Sequence, residues 1–381
     1  MSDLRLGVIG LGNIGQQHIQ HIQSGAVEHC VVTALASRSE SQLAQAMNVP
    51  HFTDYRELID SGLCDAVLIA TPTMSHLEMG LYALGKGLHV LMEKPLGLSV
   101  AQGQELLAAA GNNCVFALML NQRVAPVFVK MKSIIDSGTL GELQRTHWTM
   151  TNWFRPEVYF QVSDWRATWH GEGGGLLLNQ CIHNIDIFQW LTGMPISVQG
   201  FCGFGKYHNI EVEDEATAFF EYANGATGVF VGSTGEAPGV NQLDIVGDKG
   251  MLSFDGKRLL LTENSPSTSR YNKQTMDMFG QPSREVIDIT PEETVNQHAV
   301  VINNFAQAIL NSQNLIAPAK QGIDSLSIAN AILWSAWSEK RITFPLNAKG
   351  YQTELDKKLH SSVLRKKSDI KANIDMEASY R

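Results

Sequence analysis

A lysine follows directly on a short apolar run. The apolar residues 90–92 are succeeded by Glu93, Lys94 and Pro95. Because such a run is typical of a buried strand, the two charges are predicted to lie at the edge of a core. Proline keeps the preceding residue extended and makes a cis bond accessible. An ammonium held there can stabilise negative charge developing on an oxygen, and Glu93 can hold or tune it.

A histidine stands in a second polar constellation, G-G-G-L-L-L-N-Q-C-I-H-N-I-D at 173–186. If 174–191 is a helix, Asn179 and His183 share a face at i,i+4, with Asp186 a further turn along. A histidine oriented by polar neighbours is the usual group for moving a proton near neutral pH. A lone helical histidine is more often a core or surface residue. The glycines and Asn179 leave both interpretations open.

The chain begins with a glycine pattern, G-L-G-N-I-G, directly after the apolar run 4–9 and before a helical pattern. Gly10 would make a tight turn, Gly12 would let the backbone approach a pyrophosphate, and Gly15 would allow close packing of helix on strand. Asn13 and Ile14 would then line the same turn. The position between strand and helix favours dinucleotide binding over a purely structural turn.

The residues ending the second strand bear on which dinucleotide binds. An acid is expected there for a bare ribose, yet Ser37 and Arg38 stand there and the first acid is Glu40. A hydroxyl and a guanidinium suit a 2′-phosphate better, so NADP is favoured over NAD. The alternative is that Arg38 stacks on the adenine or is simply solvated.

Two further segments carry candidate contacts. A-T-P-T-M-S-H at 70–76 ends an apolar run, where Thr71 and Pro72 would wall a cofactor and Thr73 would cap the next helix. Residues 151–170 gather three tryptophans with arginines, Trp165 and Arg166 among them. Aromatic rings beside guanidinium groups make good walls for a sugar or nicotinamide ring, although packing of a domain interface is an equal alternative.

The elements that position these residues change character near residue 123. Before it, short apolar runs alternate with helical stretches, which predicts a doubly wound parallel sheet. The runs are 4–9, 31–36, 66–70, 88–92 and 115–118. After it, alternating strands joined by Asn-Gly and Asp-Gly turns predict an α+β domain with a largely antiparallel sheet, with late helices at 296–310 and 324–338.

The predicted domains are therefore 1–123, a dinucleotide-binding domain, 124–345, a substrate-binding and oligomerisation domain, and 346–381, a charged tail. Residues 264–283 are predicted to be a polar loop.

Composition narrows the function further. At 381 residues, 44% hydrophobic and 18% charged, the chain is typical of about two globular domains. A net charge of −9 without a long basic block argues against nucleic-acid and anionic-membrane binding. Five scattered cysteines lack zinc-type spacing, so no metal site is predicted and a reducing compartment is favoured. With no signal-peptide or membrane-span pattern, a cytoplasmic protein is expected.

Taken together, G-L-G-N-I-G, E-K-P and G-G-G-x(7)-H-x-x-D resemble the Gfo/Idh/MocA family, that of glucose-fructose oxidoreductase and inositol dehydrogenase. The resemblance spans about residues 4–345. It implies a Rossmann domain followed by an open, mostly antiparallel sheet whose other face commonly forms homodimers or homotetramers. It also implies NAD(P)-dependent oxidation or reduction at a secondary carbinol of a sugar, cyclitol or derivative.

Carried over by position, the resemblance implies that Lys94 is the catalytic lysine and His183 the acid/base. Asn179 falls where many relatives have aspartate; an amide can orient a hydroxyl but cannot take its proton, so proton transfer falls to His183. Trp165 and Arg166 match a pair that lies by the nicotinamide in some reductases. The expected cofactor contacts are Gly10, Gly12, Asn13, Ile14, Ser37, Arg38, Thr71, Pro72, His76, Glu93, Lys94, Asn121, Trp165 and Arg166.

Two other functions compete. One is a redox-neutral glycosidase or lyase that keeps NAD bound and oxidises the sugar transiently, which these motifs permit. The other is a dinucleotide-sensing regulator without enzymatic activity. The presence of both Lys94 and His183 disfavours the regulator, because a sensor has no chemical need for them.

Overall fold

The computed structural model describes residues 3–363. The chain divides into two compact units. Unit 1 runs to Val124 and also contains His170–Gly173 and Val295–Leu326, and unit 2 contains Ala125–Trp169, Gly174–Thr294 and the described residues after Leu326. The sequence predicts a single boundary between these two domains, between residues 123 and 124. The structure differs, because residues 295–326 belong to unit 1.

Unit 1 is built on one parallel sheet. Its strands, numbered in chain order, are β1 (Leu4–Ile9), β2 (Cys30–Ala36), β3 (His51–Phe52), β4 (Ala66–Ile69), β5 (His89–Met92) and β6 (Phe116–Leu118). Their order is β3-β2-β1-β4-β5-β6, and each neighbouring pair is parallel. Every residue of β4 is buried, as in a sheet covered on both faces. The predicted doubly wound α/β fold is confirmed.

The helices are numbered in the same way. They are α1 (Asn13–Gln23), α2 (Gln42–Met47), α3 (Tyr55–Asp60), α4 (His76–Gly85), α5 (Val100–Ala110), α6 (Pro126–Asp136), α7 (Glu157–Gln161), α8 (Trp169–Glu172), α9 (Ile182–Thr192), α10 (Thr268–Gln274), α11 (Gln297–Asn311), α12 (Gly322–Ser338) and α13 (Ala348–Ser361). Helices α1 to α5 and α11 belong to unit 1, and α8 and α12 each contain a unit boundary.

Burial explains why α11 belongs to unit 1. Its residues Val301, Ile302 and Phe305 lie in the same buried apolar cluster as Leu6 and Leu68 of the parallel sheet. A sequence pattern shows that such a helix is amphipathic but not which sheet its apolar face will cover. The helix itself was predicted, at 296–310, but was assigned to the second domain.

Unit 2 is built on a mixed sheet. Its strands are β7 (Leu143–Met150), β8 (Ser197–Phe204), β9 (Glu213–Glu221), β10 (Thr227–Ser233), β11 (Asn241–Gly247), β12 (Gly250–Phe254), β13 (Leu259–Ser265), β14 (Ser283–Asp288) and β15 (Ile342–Thr343). Their order is β14-β13-β12-β11-β7-β10-β9-β8-β15. All the pairs are antiparallel except β10 with β7. The predicted open, mostly antiparallel sheet is confirmed.

Aromatic packing attaches helices to this sheet. Trp148 of β7 has no exposed surface, and its ring lies 5.9 Å from that of Phe128 and 6.3 Å from that of Phe230. Phe188 of α9 lies 5.3 Å from Phe220 and 6.2 Å from Phe230. The helix that carries His183 is therefore fixed against the sheet by its own buried face.

Three local predictions differ from the structure. The helix predicted at 174–191 begins only at Ile182, and 173–181 is a turn. The predicted polar loop at 264–283 contains α10. The predicted tail begins with α13, which buries Tyr351 and Leu355 completely, while the rest of the tail beyond 363 lies outside the described residues. Among residues 3–363, no helix is long and apolar enough to cross a membrane.

Candidate active site

The glycine turn between β1 and α1 is shaped for close backbone approach. Gly10 has φ +97°, and a Cβ there would lie 2.5 Å from the carbonyl oxygen of Ala70. A Cβ on Gly15 would lie 2.0 Å from the carbonyl oxygen of Gly10. A Cβ on Gly12 would meet nothing within 4 Å. Gly10 and Gly15 are therefore required by packing, whereas Gly12 keeps open the space before the helix.

The start of α1 is suited to an anion. Gly12 precedes the helix without a side-chain cap, and the first turn contains no acidic residue. The first backbone N–H groups and the positive end of the helix dipole therefore point into that open space. Asn13 is exposed there and Ile14 is half-buried. These residues fit the pyrophosphate of a dinucleotide.

The end of β2 carries the predicted determinants of ribose recognition. The Ser37 hydroxyl donates to the carbonyl oxygen of Ser39 at 2.8 Å and lies 2.9 Å from Nε2 of His51. Because the hydroxyl hydrogen is committed to Ser39, Nε2 of His51 is the donor to Ser37. The Arg38 side chain is exposed. The sequence did not single out His51, since β3 has only two residues and gave no strand pattern.

The segment after β4 contains residues with two different roles. Thr71 and Pro72 are half-buried at the strand end, where a cofactor wall was predicted. His76 has no exposed surface, and its Nδ1 and Nε2 lie 2.9 Å from the carbonyl oxygen of Pro95 and 3.0 Å from that of Thr71. Both imidazole nitrogens are therefore used within the protein, and His76 holds backbone rather than offering a hydrogen bond to a ligand.

The E-K-P segment follows β5, as the apolar run predicted. Lys94 is half-buried, and the Lys94–Pro95 peptide bond is cis. Glu93 is only 8% exposed, and its Oε1 lies 2.7 Å from Nε2 of His18 on α1. Burial alone would raise the pKa of Glu93, but the hydrogen bond and charge of His18 lower it to about 2. Glu93 is therefore an ionised, internally held carboxylate.

The same neighbourhood makes a prediction about acid stability. Burial lowers the pKa of His298 to about 4, against the opposing effect of Glu93. Between about pH 6.5 and pH 4 the unfolded chain then binds one more proton at this residue than the folded chain, so stability falls as the pH falls. His298→Asn is expected to remove at most about 3 kcal/mol of that loss in the free energy of unfolding.

Urea unfolding at about pH 7 and about pH 4.5 measures this, with exposed His360→Asn as the control. An unchanged pH dependence in His298→Asn would contradict the assignment. The lowered pKa of Glu93 adds a further loss of stability as the pH falls from about 4.5 to about 2, because over that window the unfolded chain binds the proton and the folded chain does not.

Two polar residues after β6 differ in function. Asn121 is 5% exposed; its Nδ2 donates to Oε1 of Gln297 at 2.9 Å, while its buried Oδ1 has no hydrogen-bond partner among residues 3–363. That oxygen is a free acceptor, which fits the predicted cofactor contact. Arg123 is 2% exposed and donates to Ile316 and Gln321, which makes it a structural residue rather than a substrate-binding one.

In unit 2, the turn before α9 is organised by a buried carboxylate. Both carboxylate oxygens of Glu213, which has no exposed surface, accept from the N–H of Gly175 at 2.9 Å, and Oε1 also accepts from the N–H of Leu177 at 2.9 Å. A Cβ on Gly175 would lie 2.3 Å from the carbonyl oxygen of Glu213. These contacts hold the turn against β9, and α9 begins only after it, at Ile182.

This turn changes the relation between the predicted polar residues. Asn179 lies in the turn, with its N–H bonded to the carbonyl oxygen of Gly175 at 2.9 Å, and His183 lies in the first turn of α9. The prediction that they share one helical face is therefore wrong. His183 and Asp186 do share α9 at the predicted spacing; Asp186 is 1% exposed, whereas His183 is half-buried.

The aromatic segment also lies in unit 2. Nη1 of Arg166 donates to the Tyr159 hydroxyl at 2.5 Å, and its guanidinium lies 4.8 Å from the ring centre of Trp165. Tyr159 also accepts from Nε2 of Gln180 at 3.1 Å, one residue after Asn179. The Trp165–Arg166 pair is therefore a packed cation–π cluster connected to the turn that carries Asn179.

Comparison with known proteins decides the family. Residues 4–120 match the family model described as "Oxidoreductase family, NAD-binding Rossmann fold", and residues 128–253 match "GFO/IDH/MocA C-terminal domain". The chain belongs to the Gfo/Idh/MocA family of oxidoreductases. The motif-based resemblance is thus confirmed, and the protein is an NAD(P)-dependent oxidoreductase.

Individual Gfo/Idh/MocA relatives are distant. The chain is 26% identical over 336 residues to the uncharacterized oxidoreductase YrbE of Bacillus subtilis, covering 85% of this chain and 92% of the relative. It is 26% identical over 286 residues to the myo-inositol 2-dehydrogenase of Thermotoga maritima, covering 70% and 81%. The WlbA dehydrogenase of Bordetella pertussis, solved with NADH and UDP-GlcNAcA, superposes with TM-score 0.76 at 22% identity, covering 91% and 100%.

Proposed function

We propose that the protein transfers a hydride between a nicotinamide dinucleotide and a secondary carbinol or ketone of a sugar, cyclitol or sugar derivative. The observation that carries the proposal is the half-buried Lys94 at the end of β5, in the same unit as a glycine turn shaped for a pyrophosphate. The relative named myo-inositol 2-dehydrogenase supports the substrate class, because a cyclitol presents secondary carbinols.

In this mechanism the bound dinucleotide supplies the hydride acceptor. Lys94 donates a hydrogen bond to the reacting oxygen and stabilises the negative charge that develops on it. His183 accepts the proton that leaves the hydroxyl, and returns it in the reductive direction. Asn179 orients a neighbouring hydroxyl, since its amide can donate and accept hydrogen bonds but cannot act as a base.

The cofactor contacts are proposed in two groups. In unit 1, the turn at Gly10 and Gly12 holds the pyrophosphate, and Thr71 with Pro72 forms a wall. The Oδ1 of Asn121 is a buried acceptor suited to an N–H donor such as a carboxamide. In unit 2, the proposed contact is the Trp165–Arg166 pair. His76 and Glu93 are assigned to the support of Lys94, because both are bonded internally.

We propose NADP as the preferred cofactor. The exposed Arg38 beside Ser37 offers a bidentate partner for a 2′-phosphate, and the residue that would repel it, an acid at the end of β2, is absent from this position. Arg38→Ala is therefore expected to weaken NADPH binding by about 10- to 100-fold and to leave NADH binding nearly unchanged.

Fluorescence titration of both reduced cofactors measures this, with Arg284→Ala on β14 as an exposed control in unit 2. Much tighter binding of NADH than of NADPH by the unaltered protein would contradict the NADP assignment. An equal loss for both cofactors in Arg38→Ala would show that Arg38 stacks on a shared part of the ligand.

The substrate class is tested with a panel of polyols, free sugars, glycosides and sugar acids. Each compound is incubated with each oxidised cofactor, and the absorbance of reduced nicotinamide is followed. A cyclitol or sugar that yields reduced cofactor supports the proposal. Breakdown of a glycoside without net cofactor change would favour the redox-neutral reaction instead.

A further inference from the structure

Two fully buried histidines flank Lys94 in unit 1. Nε2 of His18 lies 2.7 Å from Oε1 of Glu93, the residue before the lysine. Nδ1 of His76 lies 2.9 Å from the carbonyl oxygen of Pro95, the residue after it. We propose that His18 and His76 form a clamp that positions Lys94 for catalysis. The clamp rests on the proposed function, in which Lys94 meets the reacting oxygen.

The first arm of the clamp runs through a carboxylate. Oε1 of Glu93 is held by His18, and Oε2 accepts from the backbone N–H of Lys94 at 3.2 Å. The carboxylate therefore connects α1 to the main chain of the lysine. Because the pKa of Glu93 is lowered, its carboxylate is ionised near neutral pH and accepts both contacts.

The ring of His18 is itself fixed by other imidazoles. His298 on α11 lies 5.3 Å from it in an edge-on arrangement, and His21 stacks on His298 at 6.1 Å. Burial lowers the pKa of His298 to about 4 and holds that of His21 below its usual range. His298 and His21 therefore pack as neutral groups near pH 7 and add no positive charge of their own beside Glu93.

The second arm bridges two strand ends. His76 contacts Pro95 through Nδ1 and Thr71 through Nε2, and both partners are carbonyl oxygens that only accept. A neutral imidazole has one N–H, so it can donate to only one of them at a time. Burial lowers the pKa of His76 below its usual range, against the opposing effects of the two carbonyls and Glu93. The two contacts can be separated experimentally, because an asparagine amide can replace Nδ1 and a glutamine amide can replace Nε2.

A purely structural role is the alternative, since buried histidines also stabilise cores. The difference is whether the effect depends on Lys94. If His18 acts by positioning Lys94, replacing His18 has little further effect on kcat once the lysine side chain is absent. A core residue, in contrast, supports the fold with or without the lysine side chain. A double-mutant cycle with Lys94→Ala therefore separates the two roles.

The experiment uses the full chain and the substrate identified by the panel. His18→Leu is expected to lower kcat about 10- to 100-fold, with the cofactor Kd within about twofold, and His18→Gln is expected to recover most of the loss. In the Lys94→Ala background, His18→Leu is expected to cost less than about twofold. His89→Leu, a histidine at the opposite end of β5 that accepts from Val115, is the matched control.

The second pair tests the other arm. His76→Asn keeps a donor for Pro95 and is expected to retain several times more kcat than His76→Gln, which keeps a donor for Thr71. Equal kcat in the two variants would overturn the second arm. If His18→Leu fails to fold, the comparison of His76→Asn with His76→Gln still tests the clamp.

The failures are distinguishable. If Lys94→Ala itself retains full activity, the proposed function is wrong about the lysine. If Lys94→Ala is severely impaired but His18→Leu costs the same in both backgrounds, the clamp is wrong and His18 is a core residue. Loss of cofactor binding in His18→Leu would likewise overturn the clamp, because α1 would then act through the pyrophosphate turn.

Discussion

Lys94→Ala is expected to lower kcat by about a thousandfold while leaving cofactor binding nearly intact. The ammonium is placed at the end of β5, half-buried, where a hydrogen bond to a developing alkoxide is worth more than it would be in water. Removal of the ammonium is therefore expected to destabilise the transition state and to leave dinucleotide affinity nearly unchanged. Steady-state kinetics measures kcat, and fluorescence titration measures the cofactor Kd.

Lys86→Ala is the matched control for this prediction. Lys86 is an exposed lysine of the same unit whose Nζ pairs with Asp60 at 2.6 Å, so its removal is expected to leave kcat unchanged. Lys94→Arg keeps the charge but not the compact ammonium, and an intermediate rate is expected. Near-normal turnover in Lys94→Ala would contradict the assigned role.

His183→Ala is expected to lower kcat by about 100- to 10,000-fold with little change in cofactor affinity. The histidine lies in the first turn of α9, which is fixed by Phe188 against the sheet of unit 2. Without it no neighbouring amide can accept the proton, because Asn179 is not a base.

Added imidazole is expected to restore part of the activity of His183→Ala, since a small diffusible base can replace the missing ring. His147→Ala on β7 is the control; that ring lies 3.0 Å from the Thr149 hydroxyl. Turnover in His183→Ala equal to that of the unaltered protein would remove His183 from the mechanism.

The sequence predicts those features of the site that are determined by residues adjacent in the chain. Gly10 and Gly12 are set by the strand-to-helix turn in which they lie, and the apolar run 90–92 correctly predicted a strand that ends at Met92, two residues before Lys94. The alternating stretches after residue 123 correctly predicted a largely antiparallel sheet.

The partners of these residues were not readable, because they come from distant parts of the chain. His18 meets Glu93 across 75 positions, and Glu213 meets Gly175 across 38. Glu213 stands in an alternating acidic strand, where a carboxylate is normally solvated. Its contacts with Gly175 and Leu177 hold the turn before His183, and no periodicity within that turn signals them. The prediction of a shared Asn179–His183 face is wrong because α9 begins only at Ile182, after Asn179.

The reaction proposed for the protein is hydride transfer to or from a carbinol carbon with net conversion of the cofactor. The most direct measurement incubates the keto form of the substrate identified by the panel with reduced cofactor carrying deuterium at the transferable position of C4. Mass spectrometry then locates the label. Hydride transfer predicts deuterium on the new carbinol carbon, in equal amount to the cofactor oxidised. Product without deuterium at that carbon, or substrate turnover without net cofactor oxidation, would contradict it.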